Sequence, residues 1–431
     1  MKKPLFLLML FIGVYINNII AQSKTDSEKL DEYFKALTAI KNFNGNVIVA
    51  RKANILLNKS YNITENVNGL KIDRDSKFII ASVSKIFVKY AILKLAELNK
   101  LKLSDKLDKY IPGFEYGNKI TIEQLMYHQS GLPRELKDYE KYENISMAQT
   151  IEFARKEKLQ FEPGTQTLYS NIGYLLLHYI IDKVSGNYWD FMNKNILQKY
   201  QMKNTGEFNA VNKIDHFAYG YNLENGKITP VSKESINRFE TGNYFSTVTD
   251  LYNFSKQVLS GKFLKKELAL KMYEKENTLT QAGGRPGYRA YYYQNLSSGI
   301  TFIFTSNYTD IPFQQITTDI INLMENKPYK VPEKMERNAI ALPENILQRY
   351  TGKYALEADP SQIFIFSLVN HKLVITDKDN EKTILYPDTE TTFFDNSSSQ
   401  DSYNFSLNTQ NQKYDLTIIS TGVKLKTKRL E

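Results

Sequence analysis

The chain contains no cysteine. That excludes a thiol nucleophile, a thiolate metal site, disulfide cross-links and the lipidated cysteine of a bacterial lipoprotein. Histidine is nearly as scarce, limited to His128, His178, His216 and His371. These four show no H-E-x-x-H spacing, so a zinc hydrolase lacks its ligand set and no metal or other cofactor is expected. No G-x-S-x-G elbow occurs either, which removes the sequence signature of a Ser-His-Asp hydrolase. His178 lies in an apolar helical pattern and reads as core, His128 reads as fixing the turn before Ser130-Gly131, and His371 belongs to the β-rich tail. The glycine-rich run "AGGRPG" (282–287) lacks the following helix that a phosphate-binding loop requires. Charge of one sign is not concentrated: the net +9 is spread in short clusters such as "EKMERN" and "KLKTKR". A basic surface is the reading, with no nucleic-acid partner, although attraction to an anionic cell envelope is compatible with it.

What is present suffices for two folded units, since 431 residues that are 42% hydrophobic exceed one ordinary domain. Residues 1–21 read as a secretory signal, with Lys2 and Lys3 ahead of the apolar "LFLLMLFIGVYI" and Ala21 at the cut. A periplasmic or secreted protein is therefore expected; an uncleaved anchor is the other reading.

Residues 22–326 mix α and β patterns. "SEKLDEYFKALTAI" has helical spacing, and "NVIVAR" with "NILLNKS" reads as a hairpin turning at Lys52-Ala53. From Ser82 to Leu101 nearly every face is apolar, which predicts a buried helix. Further helices are expected at 121–128, 147–157, 170–186, 188–200 and 247–261. Two end at glycine, Gly186 and Gly261, as left-handed termination predicts. "YRAYYYQ" and "ITFIFTSN" read as strands that extend the sheet of the early hairpin. Residues 327–342, polar and proline-bearing, read as a linker. Eight short β-prone runs follow in 343–431 with no convincing helix, which predicts a small antiparallel β-sandwich or barrel.

The chemistry centres on "FIIASVSKIF" (78–87), where an expected strand meets the buried helix. It contains the chain's only S-x-x-K, Ser82 and Lys85, and that spacing projects both side chains from one helical face. Free N–H groups and the helix dipole at this end favour a nearby oxyanion. Serine needs a base, which a lysine supplies once desolvation lowers its pKa. A serine cap with a solvated lysine has the same spacing, so the pair alone leaves both readings open. A second element is "PGTQTLYSNIGY" (163–174), in which Tyr169 and Asn171 stand between a Pro-Gly turn and a helix start. A phenol there can relay a proton, and the Asn171 amide can bind a substrate carbonyl or cap the helix.

These strings, with "FNGNVIVARKANILLNKSY", "ITIEQLMYHQSGLP", "GNYFSTVTDLYNFSKQVLSG" and "AGGRPGY" before "FIFTSN", resemble in order the serine β-lactamase and penicillin-binding-protein superfamily. The resemblance is to its class C β-lactamase-like hydrolases, which include D-alanyl-D-alanine carboxypeptidases and esterases, and it covers most of residues 43–307. It implies an α+β fold, an antiparallel sheet flanked by helices with a helical subdomain, followed by the small all-β domain. It also implies Ser82 as acylated nucleophile, Lys85 and Tyr169 as the proton-handling pair with the true base undecided, and Asn171 as a substrate contact. The backbone N–H groups of Ser82 and Gly284 would form the oxyanion hole. The third motif of that superfamily normally reads Lys or His, a small residue, then Gly; here Gln281-Ala282-Gly283 stands in its place. That removes a cation that docks a substrate carboxylate. Arg285 and Arg289 read as surface residues, with restoration of that charge as the other reading. The implied partner is a small-molecule or peptide substrate. The alternative function is a catalytically weak binding protein for cell-envelope peptide or glycan. The sequence does not indicate an oligomeric state.

Overall fold

The computed structural model describes residues 24–63, 69–137, 146–209, 213–224, 227–232, 243–334, 336–357, 359–377, 382–395, 397, 401–420 and 423–430. The secretory signal expected at 1–21 lies outside the described residues. Among those described, no helix is long and apolar enough to cross a membrane.

The helix Asp26–Ala39 starts from a capping box between Thr25 and Glu28, and it buries Leu30, Tyr33, Phe34 and Leu37 along one stripe. The strands Gly45–Arg51 and Asn54–Tyr61 follow as a hairpin. Its two turn residues, Lys52 and Ala53, both adopt positive φ (48° and 66°), the twist that a two-residue connection demands. Late strands complete a five-stranded antiparallel sheet in the order Asn54–Tyr61, Gly45–Arg51, Ile300–Ser306, Tyr288–Asn295, Thr278–Arg285.

Because strand side chains alternate, this sheet separates two cores. Val47, Val49, Phe302, Phe304 and Tyr291 face the helices Asp26–Ala39 and Phe313–Met324. On the other side Ile48, Ala50, Ile303 and Tyr292 pack with the helix Lys85–Glu97 and the helical region beyond it. Lys85–Glu97 is buried on nearly every side, as its apolar pattern predicts. The helices Ile122–Met126, Met147–Ala154, Asn171–Ser185, Tyr188–Met192 and Val248–Gln257 fall within the expected segments. Gly186 closes one of them at φ 92°.

Among the elements not expected, two flank the main sheet or complete it. Thr278–Arg285 is the edge strand of the main sheet, although "TLTQAGGR" lacks the β-branched alternation of a strand. Phe313–Met324 is a helix despite its isoleucines and threonines, because Ile316, Ile320 and Leu323 share the stripe that covers the sheet.

The eight β-prone runs of the tail form eight strands of a closed barrel, which resolves the choice between sandwich and barrel. Closure leaves no unpaired edge. The inside is filled by Tyr354, Phe366, Leu373, Phe393, Phe405 and Leu416. The expectation of no helix there is corrected by one short turn, Glu344–Leu347 continuing into Gln348–Tyr350, which places Leu347 and Tyr350 in the barrel core.

Candidate active site

Ser82 stands where strand turns into helix. The strand Phe78–Ile79 leads through Ile80 into a 3-10 turn, Ala81–Ser84, and the α-helix begins at Lys85. Ala81 holds φ at 44°, a region disfavoured for a residue with a Cβ, so the backbone is strained immediately before the serine. From Phe78 to Leu93, Ser82 is the one residue that is not buried. The turn thus presents a single hydroxyl from an otherwise sealed element.

Lys85 Nζ and Tyr169 OH each lie 2.9 Å from Ser82 Oγ. Lys85 is buried, and its Nζ sits 5.2 Å from the Tyr169 ring centre and 5.6 Å from that of Tyr174. Burial, followed by the nearby Arg285 charge, brings its amine down to about 7. Tyr169 moves the other way: burial raises its phenol despite the hydrogen bond to Ser82. At neutral pH the site accordingly holds a lysine able to accept a proton and a tyrosine that keeps its own. The rate of acylation at Ser82 is expected to climb as pH rises through about 7 and then level off. Labelling rates from pH 5 to 9 check this, and a flat profile would remove the base assignment.

All seven site residues expected from the sequence (Ser82, Lys85, Tyr169, Asn171, Gln281, Gly283 and Gly284) line one cavity of about 900 Å³. Gly283 and Gly284 lie on the edge strand Thr278–Arg285, which runs against the Ser82 turn. A Cβ on Gly283 would stand 2.2 Å from the Ile80 carbonyl oxygen and 3.3 Å from the Ser82 nitrogen, so only glycine permits this approach. Gln281 donates from Nε2 to its neighbour's carbonyl, Ala282 O, at 3.0 Å.

Several groups were not foreseen. Asn171 does not cap its helix; Ser170 does, its Oγ accepting from Gly173 N at 3.1 Å. The Asn171 amide instead donates to Glu135 Oε1. Glu135 is drawn upward in pKa by burial, and Arg134 stacks its guanidinium 5.2 Å from the Tyr169 ring centre. Both follow directly on the "SGLP" turn, which is the one sequence signal that pointed near them. Arg285 and Arg289, expected on the surface, line the cavity as well. Arg289 is half-buried, and its Nη1 donates to the carbonyls of Arg285 (3.2 Å) and Tyr288 (2.9 Å). Of the histidines, His178 is core as expected, its ring stacked 3.5 Å from Tyr188 and its pKa brought to about 3 by burial. His128 does more than fix a turn, since its Nδ1 accepts from Ser170 N at 3.1 Å.

A hydroxyl set between a buried amine and a phenol, at the head of a buried helix and beside a glycine-bearing edge strand, is the site of a serine hydrolase of β-lactamase fold. Comparison with known proteins agrees. The family model "Beta-lactamase" matches residues 30–307, and the chain belongs to that family. A penicillin-binding protein of Bacillus subtilis (strain 168) is 27% identical over 412 residues, covering 85% of this chain and 90% of its own. In structure the chain is similar to the octameric penicillin-binding protein homologue from Pyrococcus abyssi. The TM-score is 0.62 at 20% identity, over 94% of this chain and 100% of that one. It is also similar to the D-amino acid amidase from Ochrobactrum anthropi SV3, at TM-score 0.59 and 16% identity over 70% of this chain and 99% of that one.

Proposed function

We propose that this protein is an exported serine hydrolase that forms an acyl-enzyme on Ser82 and acts on a peptide, amide or ester. The observation that carries the reading is the pair of 2.9 Å contacts made by Ser82 Oγ with Lys85 Nζ and Tyr169 OH. Neutral Lys85 takes the Ser82 proton as Oγ adds to the substrate carbonyl carbon. The oxyanion that forms is held by the backbone N–H groups of Ser82 and Gly284. Tyr169 delivers the proton to the leaving group as the tetrahedral intermediate collapses, and water then frees the acyl group by the same steps in reverse order. The opposite displacements of the two pKa values favour Lys85 over Tyr169 as the base.

Mass spectrometry of the intact protein after exposure to penicillin or a fluorophosphonate is expected to show one covalent adduct on Ser82, absent from Ser82→Ala. No adduct at any pH from 5 to 9 would sink the proposal. Gln281 favours a second reading, a catalytically weak protein that binds cell-envelope peptide or glycan, because it offers no charge to a substrate carboxylate. Turnover of a neutral ester that disappears in Ser82→Ala supports the enzyme, whereas binding untouched by that substitution supports the binder. In the same comparison, Gln281→Lys is expected to raise acylation by a carboxylate-bearing β-lactam about tenfold relative to the neutral ester, the size of one charge-assisted contact. An unchanged ratio would show that the missing charge does not set selectivity.

A further inference from the structure

We propose that His128 is a positioning residue for Tyr169, clamping the phenol onto Ser82 from both sides of the chain; the catalytic sense of this rests on the serine-hydrolase reading above. The residues flanking the tyrosine are both tied to this one histidine. Leu168 N–H donates to the His128 carbonyl oxygen at 2.9 Å, and Ser170 N–H donates to His128 Nδ1 at 3.1 Å. Tyr169, between them, lays its ring on the imidazole at 4.6 Å between centres. The imidazole also meets Tyr174, at 4.9 Å between centres, and Tyr174 is itself pinned by its hydroxyl to the Met126 carbonyl at 2.9 Å. The three rings therefore form a tilted cluster with one fixed end. Its free end is the phenol that reaches Ser82.

Two features make histidine apt for this place. Position 128 has φ 58°, where histidine and asparagine are tolerated better than most residues. A backbone N–H can only donate, so Nδ1 must be the bare acceptor nitrogen and the ring proton must sit on Nε2. A protonated ring would carry a proton on Nδ1 and break the Ser170 bond. Burial, then the Lys85 and Lys89 charges facing the ring, keep the imidazole neutral, with its pKa at about 3. The remaining neighbours are the Tyr169 and Tyr174 phenols, and Lys89 is engaged by Glu274 at 2.6 Å. The Ser170 hydroxyl donating to Pro133 O (2.7 Å) and the Asn171 backbone N–H donating to Arg134 O (2.9 Å) continue the same seam.

The test has two arms on the full chain. In ¹⁵N-histidine spectra of the wild type, the signal lost in His128→Asn is expected to show a bare Nδ1 and a protonated Nε2 from pH 8 to pH 5. A proton on Nδ1, or a midpoint near the ordinary 6.5, would overturn the clamp without reference to activity. In the kinetic arm, His128→Asn is expected to slow Ser82 acylation by a fluorophosphonate or ester about 10- to 100-fold while KM changes less than about threefold. In a Tyr169→Phe background the same substitution is expected to have no further effect, since the histidine acts through the phenol. Independent, multiplying losses in the double variant, or wild-type rates in His128→Asn, overturn the inference. A wild type that never labels at Ser82 while His128 keeps its signature overturns the proposed function and the catalytic sense of the clamp together.

Discussion

Lys85→Met is expected to slow acylation of Ser82 by about 10³-fold or more and, at neutral pH, to make the protein more resistant to heat. The two effects share one cause. The base role proposed for Lys85 rests on an amine that is buried and held at about 7 rather than 10.5, and a group displaced this way costs the folded state free energy. At about 1.4 kcal/mol per tenfold change in proton affinity, the penalty is on the order of 5 kcal/mol. Between pH 7 and 10.5 the unfolded chain binds the proton and the folded chain does not, so native stability rises with pH over that window. The penalty is complete below pH 7 and gone above 10.5. Methionine fills similar volume without a charge, but gives up the Nζ contact with Ser82, so the net gain is smaller than the full penalty. Melting temperatures of wild type and Lys85→Met are expected to differ by several degrees at pH 6 to 7 and to converge towards pH 10. A Lys85→Met protein that is less stable than wild type across this range would contradict the account of how the base is made.

The half of the site that could be read from the sequence is the half built by local spacing. Ser82 and Lys85 are joined by a single helical turn, and Tyr169 is marked by the turn and helix that bracket it. The structure adds a seam between two loops distant in sequence, running from His128 to Glu135 on one side and from Leu168 to Asn171 on the other. Most of its bonds involve backbone N–H and carbonyl groups, which every residue possesses, so no residue pattern records it. Arg285 and Arg289 were misplaced for a related reason. Arg285 ends the edge strand Thr278–Arg285 and Arg289 lies opposite Gly284 on its partner Tyr288–Asn295, and the glycines and short side chains of the edge strand hide its strand character because they allow close approach to Ser82. The barrel was legible almost strand by strand, since its short β-prone runs follow at close spacing and their buried side chains meet in one apolar interior. The helix Phe313–Met324 was not, because tertiary burial of its isoleucine stripe overrides a composition that suits strands equally well.

Gly283→Ala is expected to disable the enzyme although it adds only one uncharged methyl group. The backbone at Gly283 is not left-handed, so alanine meets no conformational obstacle there, and the obstacle is the carbonyl of Ile80 at 2.2 Å. That carbonyl accepts from Val83 N at 3.0 Å and so closes the turn that carries Ser82. Relief of the contact must push the strand and the turn apart by about 1 Å, enough to cost about 100-fold in rate, with a loss of about 1–3 kcal/mol in stability. Gly284→Ala is the control for folding, because a Cβ there meets only the end of the Arg289 side chain, at 3.3 Å. Its unfolding midpoint in urea is expected to match that of wild type, while Gly283→Ala shifts to lower urea and labels slowly at Ser82. If Gly283→Ala keeps both the wild-type midpoint and the wild-type labelling rate, the edge strand does not position the nucleophile. Gly283 would then need another explanation than the close approach of the strand to Ser82.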